Sequence, residues 1–327
     1  MGDVIEDDER RLMSQTLRRL AEELDGTALS AALSAFGYSE LLACQPREAV
    51  STLFEALGSA GSMSAALQDV LVLPLREVLD AAGHNVVLPP IGARCAGSLL
   101  GDTVTVRGLV IGARPGAALL VPVTADGQTA WARVSDSGLL STRMVHGLDP
   151  ALAIAEVFST GASVTVVSTG QQATALWDDV VAAGRRALGY QIVGAVATMI
   201  DLAVAHARDR MQFGRAIGSF QSVRNRLADA YVAREAAAAA LELAWAADDE
   251  FLAAMLAKSL AGRAARIAAK QCQQVLAGIG FTAEHPFHRF LARALVLDSV
   301  LGSAAELPSA IGRYLISAKT IPRLVDL

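Results

Sequence analysis

The stretch Arg210-Met-Gln-Phe-Gly-Arg-Ala-Ile-Gly-Ser-Phe-Gln-Ser-Val-Arg-Asn-Arg-Leu-Ala-Asp229 interrupts a long apolar helical region with a short hinge. Gly214 and Gly218 mark the hinge, and Ser219, a good N-cap residue, is expected to open the next helix. Arg210, Phe213 and Gln221 crowd into and beside it. A guanidinium bonds phosphate bidentately and an aromatic ring stacks on a base, so a fork of donors, a ring face and an amide suit a nucleotide. A capped turn with a surface arginine and a packed phenylalanine accounts for the same residues, since short motifs also arise by chance.

Around this hinge the composition sets bounds. The 327 residues are 53% hydrophobic and only 5% aromatic, enough for two or three domains and a sizeable core. A net charge of -5, with Arg and Lys spread along predicted helices, argues against a nucleic-acid or anionic-membrane partner. Cys44, Cys95 and Cys272 are odd in number and lack metal-like spacing, which points to a reducing, cytoplasmic location. The acidic start Met1-Gly-Asp-Val-Ile-Glu-Asp-Asp-Glu-Arg10 does not read as a signal peptide. Gly189–Ala207 approaches the apolar length of a membrane span, but Asp201 and His206 would be costly in lipid, and a buried bundle helix is expected.

Working outward, the chain changes period twice. Residues 3 to about 83 carry Leu12, Leu17, Leu20 and Leu24 at helical spacing and repeat the pattern over Glu48–Gly58 and Ser62–Ala82. From Asn85 to about Thr169 the runs are short and β-branched: Thr103–Arg107, Ala118–Val123, Trp131–Val134 and Ser163–Val167. Turns at Ala125–Gly127 and Ser135–Gly138 separate them, predicting a small antiparallel sheet. The helical period then returns in longer units, Ala173–Arg210, Ser219–Ala247, Glu250–Ala277, Glu284–Val300 and Leu307–Ala318. The expected fold is mixed but mainly α: a shortened helical domain (1–84), a middle β domain (85–170) and a C-terminal helical bundle (171–327).

A second dense stretch, Gln274-Val-Leu-Ala-Gly-Ile-Gly-Phe-Thr-Ala-Glu-His-Pro-Phe-His-Arg289, is expected to end a helix on Gly278. There a backbone without a side chain admits a ligand, and Gln274, one turn back, reaches the same point. The pair Arg-x-x-Phe-Gly-x-x-Ile-x-x-Phe-Gln and Gln-x-x-x-Gly-x-Gly-Phe-Thr-x-Glu-x-Pro resembles the C-terminal bundle of acyl-CoA dehydrogenases, across roughly Gly189 to Arg293. The resemblance implies that family's three-domain layout and an FAD at a subunit interface. By motif, Arg210, Phe213, Gln221, Gln274 and Gly278 would be this chain's contribution to a partner's FAD, at its pyrophosphate and adenosine end.

The departures from the family pattern carry as much weight. α,β-Dehydrogenation needs a carboxylate to remove the α-proton as hydride leaves for the flavin. In most members it is a glutamate in a Glu-Gly-Thr turn, where this chain has Val300-Leu301-Gly302-Ser303, with Leu301 at the glutamate position. A minority place it on the first bundle helix, at the position of Gly184, beside Arg185. Asp298 and Glu306 are the nearest acids, each about one helical turn from Leu301, and a shift of that size aims a side chain ångströms from the substrate carbon. The plainer reading of both is a solvated helix flank. The sheet region shows neither of the family's flavin-ring strands: Ala96-Gly97-Ser98 is a weak echo of one, and Trp131-Ala-Arg133 does not fit the other.

The chain therefore is similar to the short, catalytically incomplete subunit of heterotetrameric (α2β2) actinobacterial dehydrogenases that act on steroid side chains. That resemblance implies a catalytic acyl-CoA dehydrogenase subunit as partner, an acyl-CoA substrate and electron-transfer flavoprotein as acceptor. An active homo-oligomer with an unusual base, and a non-enzymatic scaffold subunit, remain as alternatives.

Overall fold

The computed structural model describes residues 7–135, 140–282 and 284–319. Ten α-helices and ten strands follow in the order α1 (Asp7–Glu23), α2 (Gly26–Phe36), α3 (Tyr38–Cys44), α4 (Pro46–Ala60), α5 (Ala66–Val72), β1 (Asn85–Val86), β2 (Gly97–Leu100), β3 (Thr103–Ile111), β4 (Leu119–Ala125), β5 (Gln128–Val134), β6 (Ser141–Met144), β7 (Ile154–Ser163), β8 (Thr165–Thr169), α6 (Gly170–Asp209), β9 (Met211–Gln212), β10 (Arg215–Ala216), α7 (Gln221–Leu243), α8 (Glu250–Leu276), α9 (Phe287–Ser299) and α10 (Leu307–Ala318), counted among the described residues. Contacts divide the chain into two compact units, one of Leu24–Pro46 and Met63–Gly184, the other of Met1–Glu23, Arg47–Ser62 and Arg185–Leu327.

The first unit holds the large sheet, in the order β6-β7-β3-β2-β4-β5-β8 with β1 beside β4. Alternation builds it: Val104, Val106 and Val110 of β3 point into a core with Val121, Val123, Ala130 and Ala132, while Thr103, Thr105 and Arg107 face out. The predicted turn after Ala125 is a two-residue hairpin with Asp126 and Gly127 both at positive φ, 49° and 79°, pairing Ala125 with Gln128. The sheet is not wholly antiparallel as expected, because β1 and β2 both run parallel to β4. The chain passes through β3 between β2 and β4, and through β2 and β3 between β1 and β4, connections long enough to restore direction. The expected turn at Ser135–Gly138 falls on residues 136–138, outside those described. Ser62–Ala82 is not one helix: α5 stops at Val72 and a 3-10 turn, Leu73–Leu75, follows, because Pro74 cannot donate to the helical ladder.

The second unit is helical. On α6 the apolar window that could span a membrane by length is 72% buried, as a bundle helix requires. α4 and α6 cross at two glycines, Gly58 and Gly194, whose missing side chains bring the backbones into contact. α7 and α8 form an antiparallel pair tied by Arg226 donating to Gln271 Oε1 (2.8 Å) and Gln271 Nε2 donating to Asp229 (3.1 Å). The acidic start predicted for α8 holds, with Asp249 accepting from the Leu252 amide at 3.0 Å. α10 packs Leu307 against Leu252 and Met255 of α8.

Candidate functional site

The hinge is more ordered than its sequence suggests. α6 ends as the Arg210 amide donates to the His206 carbonyl (2.9 Å), and the Ile217 amide closes back on the Arg210 carbonyl (2.8 Å). Between them β9 and β10 pair antiparallel, Gln212 opposite Arg215, leaving Phe213-Gly214 as a two-residue turn. Both turn residues have positive φ, 52° and 77°. Such turns favour Asn-Gly, and a bulky L-residue there is strained by about 1–2 kcal/mol. The Phe213 ring is nevertheless 91% exposed, meeting Phe220 edge-on at 6.1 Å, while the Arg215 guanidinium covers Phe220 at 4.2 Å. Stability alone would select neither the conformation nor the exposure.

Ser219 does not cap α7. It lies in a 3-10 turn, Ile217–Ser219, its hydroxyl buried without a hydrogen-bond partner, and Phe220 occupies the cap position with no side-chain bond. The extra turn carries the chain past Ser219 before helical geometry begins. Gln221 is therefore the first residue of α7, exposed, at the end where amide N–H groups point outward. Arg224 ties the first turn to the hinge through the Gly218 carbonyl (2.9 Å).

The second stretch is also displaced by a residue or two from expectation. α8 ends at Leu276, and Ala277, not Gly278, takes the positive φ (52°) before a 3-10 turn, Ala277–Phe281. Packing favours Gly at 280, since a Cβ there would lie 2.9 Å from Leu276 Cβ and would displace the Gln273 amide. At Gly278 a Cβ would meet nothing within 4 Å, so its exposed backbone is open to a ligand, as is Gln274 one turn earlier. The antiparallel α7–α8 pair brings the start of α7 and the end of α8 together, so Gln221 and Gln274 share one end of the helical unit with Arg210, Phe213 and Gly278.

Two histidines join this end that the motifs did not single out. His206 lies in the last turn of α6, and its burial, then the charges of His285 and Arg210, hold it below histidine's ordinary range. His285 accepts the Phe287 amide on Nδ1 (3.3 Å) at the start of α9. Two of the chain's five histidines, His285 and His288, fall in the second stretch, and His206 lies four residues before the first.

The turn at the expected base position is built for rigidity. Leu301 adopts φ 57° and its carbonyl accepts from Arg185 Nε (3.0 Å). The Lys258 ammonium, fully buried, donates to the carbonyls of Asp298 (2.9 Å) and Gly302 (3.2 Å), and burial pushes it down to about 7. Asp298 is not a solvated flank: it is 2% exposed, accepting from the Ala304 amide (2.9 Å) and Arg266 (3.1 Å). Glu306 is exposed but accepts from the Ser303 amide and hydroxyl (3.1 and 3.0 Å), bonds that hold it below the usual carboxylate range. Both carboxylates are committed to the turn. Gly184 lies within α6 and brings no side chain.

In the sheet unit, Trp131 is wholly buried, donating its indole N–H to the Ala173 carbonyl (3.2 Å) with its ring edge-on to Trp177. Arg133 turns its guanidinium to the Leu79 carbonyl. These side chains serve the unit's own interior. A cleft of about 510 Å3 lies nearby, lined by Arg94, Gln128, Gly170, Trp177 and Asp178 among others.

The family profile described as "Acyl-CoA dehydrogenase, C-terminal domain" matches residues 177–315. Acyl-CoA dehydrogenase IpdE2 of Mycolicibacterium smegmatis is 30% identical over 319 residues, covering 91% of this chain and 96% of the relative. Acyl-CoA dehydrogenase FadE34 of Mycobacterium tuberculosis is 36% identical over 205 residues, covering 60% of this chain but only 27% of that longer protein. The fold is shared with the ChsE4-ChsE5 complex from Mycobacterium tuberculosis (TM-score 0.76, 20% identity, 98% of this chain and 100% of that one). It is shared equally with the Tcur3481-Tcur3483 steroid ACAD G363A variant (TM-score 0.77, 19% identity, 95% and 99%). Motif, fold and near full-length similarity agree, and the chain belongs to the acyl-CoA dehydrogenase family.

Proposed function

We propose that this chain is the catalytically incomplete subunit of a flavin-dependent acyl-CoA dehydrogenase complex, donating the adenosine and pyrophosphate half of an interfacial FAD site. The observation that carries the reading is Phe213, a strained and exposed aromatic held next to Arg210, because such strain persists where binding needs it. Members of the family bind FAD, which when bound accepts the hydride from the acyl β-carbon. The residues at the Arg210 end fit the nucleotide half: Arg210 to the pyrophosphate, Phe213 and Gln221 at the adenosine, Gln274 and the bare Gly278 backbone at the ribose-phosphate end. The sheet unit fits the flavin ring poorly, since Trp131 and Arg133 are spent on internal bonds. Asp298 and Glu306 are likewise bonded within their turn, so the proton-abstracting carboxylate is assigned to the partner.

The partner is a catalytic acyl-CoA dehydrogenase subunit in an α2β2 assembly. An exposed stripe on α7, Ala228, Val232, Ala236, Ala239 and Leu243, recurs at three- and four-residue spacing, as a seam for another helix does. It borders an apolar groove of about 550 Å3 between α7 and α8, which supports a helical partner there. The division into 1–84, 85–170 and 171–327, the cytoplasmic location and electron-transfer flavoprotein as acceptor belong to the same reading. A steroid side-chain CoA thioester is the substrate we assign, supported by the fold likeness to a steroid ACAD. Arg210→Ala is expected to lower the FAD content of the co-purified complex without unfolding this chain. Unchanged FAD occupancy and activity would refute the assignment. The chain purified alone should be colourless; flavin reduced by acyl-CoA in that sample would favour the active homo-oligomer instead.

A further inference from the structure

We propose that the cavity between α2, α3 and α5 in the sheet unit binds a small neutral molecule bearing a primary carboxamide, held by Asp69 and Arg114. The cavity belongs wholly to the unit without Arg210 and is independent of the nucleotide reading.

Its volume is about 330 Å3, at the small end of the range for small-molecule pockets. Leu33, Tyr38 and Ala66, all buried, give it apolar walls, and Asp69, Arg114 and Ser39 give it a polar end. The walls are fixed without a ligand. The Ser30 hydroxyl accepts the Ala65 amide (2.9 Å) and the Asp25 carboxylate accepts the Met63 amide (2.7 Å), tying α2 to the segment that enters α5. Buried Gln68 then ties α5 to the sheet, donating to the Ile111 carbonyl and accepting from the Val86 amide, both at 2.8 Å. A cavity preformed in this way loses little freedom when it fills.

The polar end is held as firmly. Asn85 bonds the Arg114 backbone in both directions, its Oδ1 accepting the amide (3.0 Å) and its Nδ2 donating to the carbonyl (2.9 Å). The guanidinium donates through one nitrogen to the His84 carbonyl (3.0 Å) and through the other to Asp69 Oδ1. The Ser39 hydroxyl also approaches Oδ1, at 3.5 Å, while Asp69 Oδ2 has no hydrogen-bond partner among the described residues. Burial holds the Asp69 carboxyl above its ordinary range although Arg114 and Arg76 both draw it down, as for a carboxylate short of donors.

An acceptor oxygen beside a guanidinium of opposite charge selects its complement. A carboxamide supplies an N–H to Asp69 Oδ2 and a carbonyl oxygen to a remaining Arg114 N–H, and it brings no net charge. An anion would meet Asp69 and a cation Arg114, each at a repulsive cost. A zwitterion would satisfy both, but its two charges would have to leave water for walls of Leu33 and Tyr38. A short alkyl group on the amide fills that apolar part instead.

The test is ligand-observed NMR and calorimetry on the purified 327-residue chain with butyramide, butyrate, butylamine and 2-aminobutyrate, which share a chain length and differ in charge. Butyramide is expected to bind with a Kd on the order of 1 mM, and the other three at least about tenfold more weakly. Ala31→Leu, at an exposed position of α2 that lines the cavity, should abolish binding without lowering Tm, since Leu suits the helix and leaves the ion pair untouched. Asp69→Asn should weaken butyramide about fivefold, because the amide then meets a neutral acceptor. Should Asp69→Asn fail to fold, the charge series and Ala31→Leu decide. The proposal is overturned if butyramide does not bind, or binds no more tightly than any of the three charged analogues. It is overturned equally if Ala31→Leu or folded Asp69→Asn binds butyramide as the wild type does.

Discussion

Gly194→Ala is a change that helix propensity and packing judge with opposite signs. By propensity, Ala in place of a mid-helix Gly stabilises by roughly 0.8–1.0 kcal/mol. In this fold a Cβ on Gly194 would stand 2.1 Å from the Glu55 carbonyl oxygen and 3.0 Å from the Ser59 amide, and one on Gly58 would stand 2.0 Å from the Gln191 oxygen. A carbon normally meets a carbonyl oxygen at about 3.3–3.6 Å, so α4 and α6 would have to part by more than an ångström. Overpacking of this kind costs about 1–3 kcal/mol. Parting the helices also strains the Thr198 hydroxyl bond to the Ser59 carbonyl (2.9 Å), worth about 1 kcal/mol. The balance is a net loss near 2 kcal/mol, which for a domain of 150–250 residues lowers Tm by roughly 4–8 °C. Gly312→Ala on α10 is the control, because its Cβ would meet nothing within 4 Å, and it should stabilise by up to about 1 kcal/mol. Thermal and urea unfolding followed by circular dichroism measures both. Were Gly194→Ala to melt at or above the wild type, the close α4–α6 crossing would be refuted.

Two further outcomes follow from buried or strained groups. Lys258, pushed down from 10.5 to about 7, holds a proton in the unfolded chain but not in the native one between those values, so its contribution makes stability rise with pH across that window. The full effect is on the order of 5 kcal/mol, and urea midpoints at pH 6 and pH 9 should differ less in Lys258→Met than in the wild type; parallel profiles would contradict the burial. Phe213→Asn replaces a strained residue with one suited to its turn and should stabilise the chain by up to about 1 kcal/mol while lowering FAD retention in the complex; loss of stability, or retention unchanged, would detach the strain from function.

Much of this was legible in the sequence where one periodicity ruled. The long helices α6, α7 and α8 show themselves because long apolar and alanine-rich stretches run without turn residues between the hinges that bound them. The hairpin at Asp126-Gly127 shows itself because its turn chemistry leaves few alternatives. The strand β7, Ile154–Ser163, did not, since Glu156, Ser159 and Thr160 break its alternation and its neighbours β3 and β6 supply the pairing that fixes it. Ser219 has the right chemistry for a cap but sits in the 3-10 turn Ile217–Ser219, one residue short of the helix, with its hydroxyl unbonded.

The base position shows the limit most plainly. Reading Asp298 as a solvated flank was reasonable for a lone acid in a helix, because the groups that bury it lie 32 and 40 residues earlier in sequence, Arg266 on its carboxylate and Lys258 on its carbonyl. The sequence shows Leu301 where a carboxylate is expected, but only the fold shows how the turn around it is held. Arg185 and Lys258 clamp the carbonyls of Asp298, Leu301 and Gly302, and Glu306 closes the turn from the other side. A catalytic turn has to present a carboxylate to substrate with room to exchange its proton. This one directs its charged groups into its own backbone, so restoring a glutamate at Leu301 would place an acid on a scaffold whose bonds oppose the movement that proton transfer needs. The absence of a carboxylate at Leu301 and the rigidity of the turn therefore reinforce one another, and both agree with the proposal that this chain acts through Arg210 and Phe213 on chemistry completed by a partner.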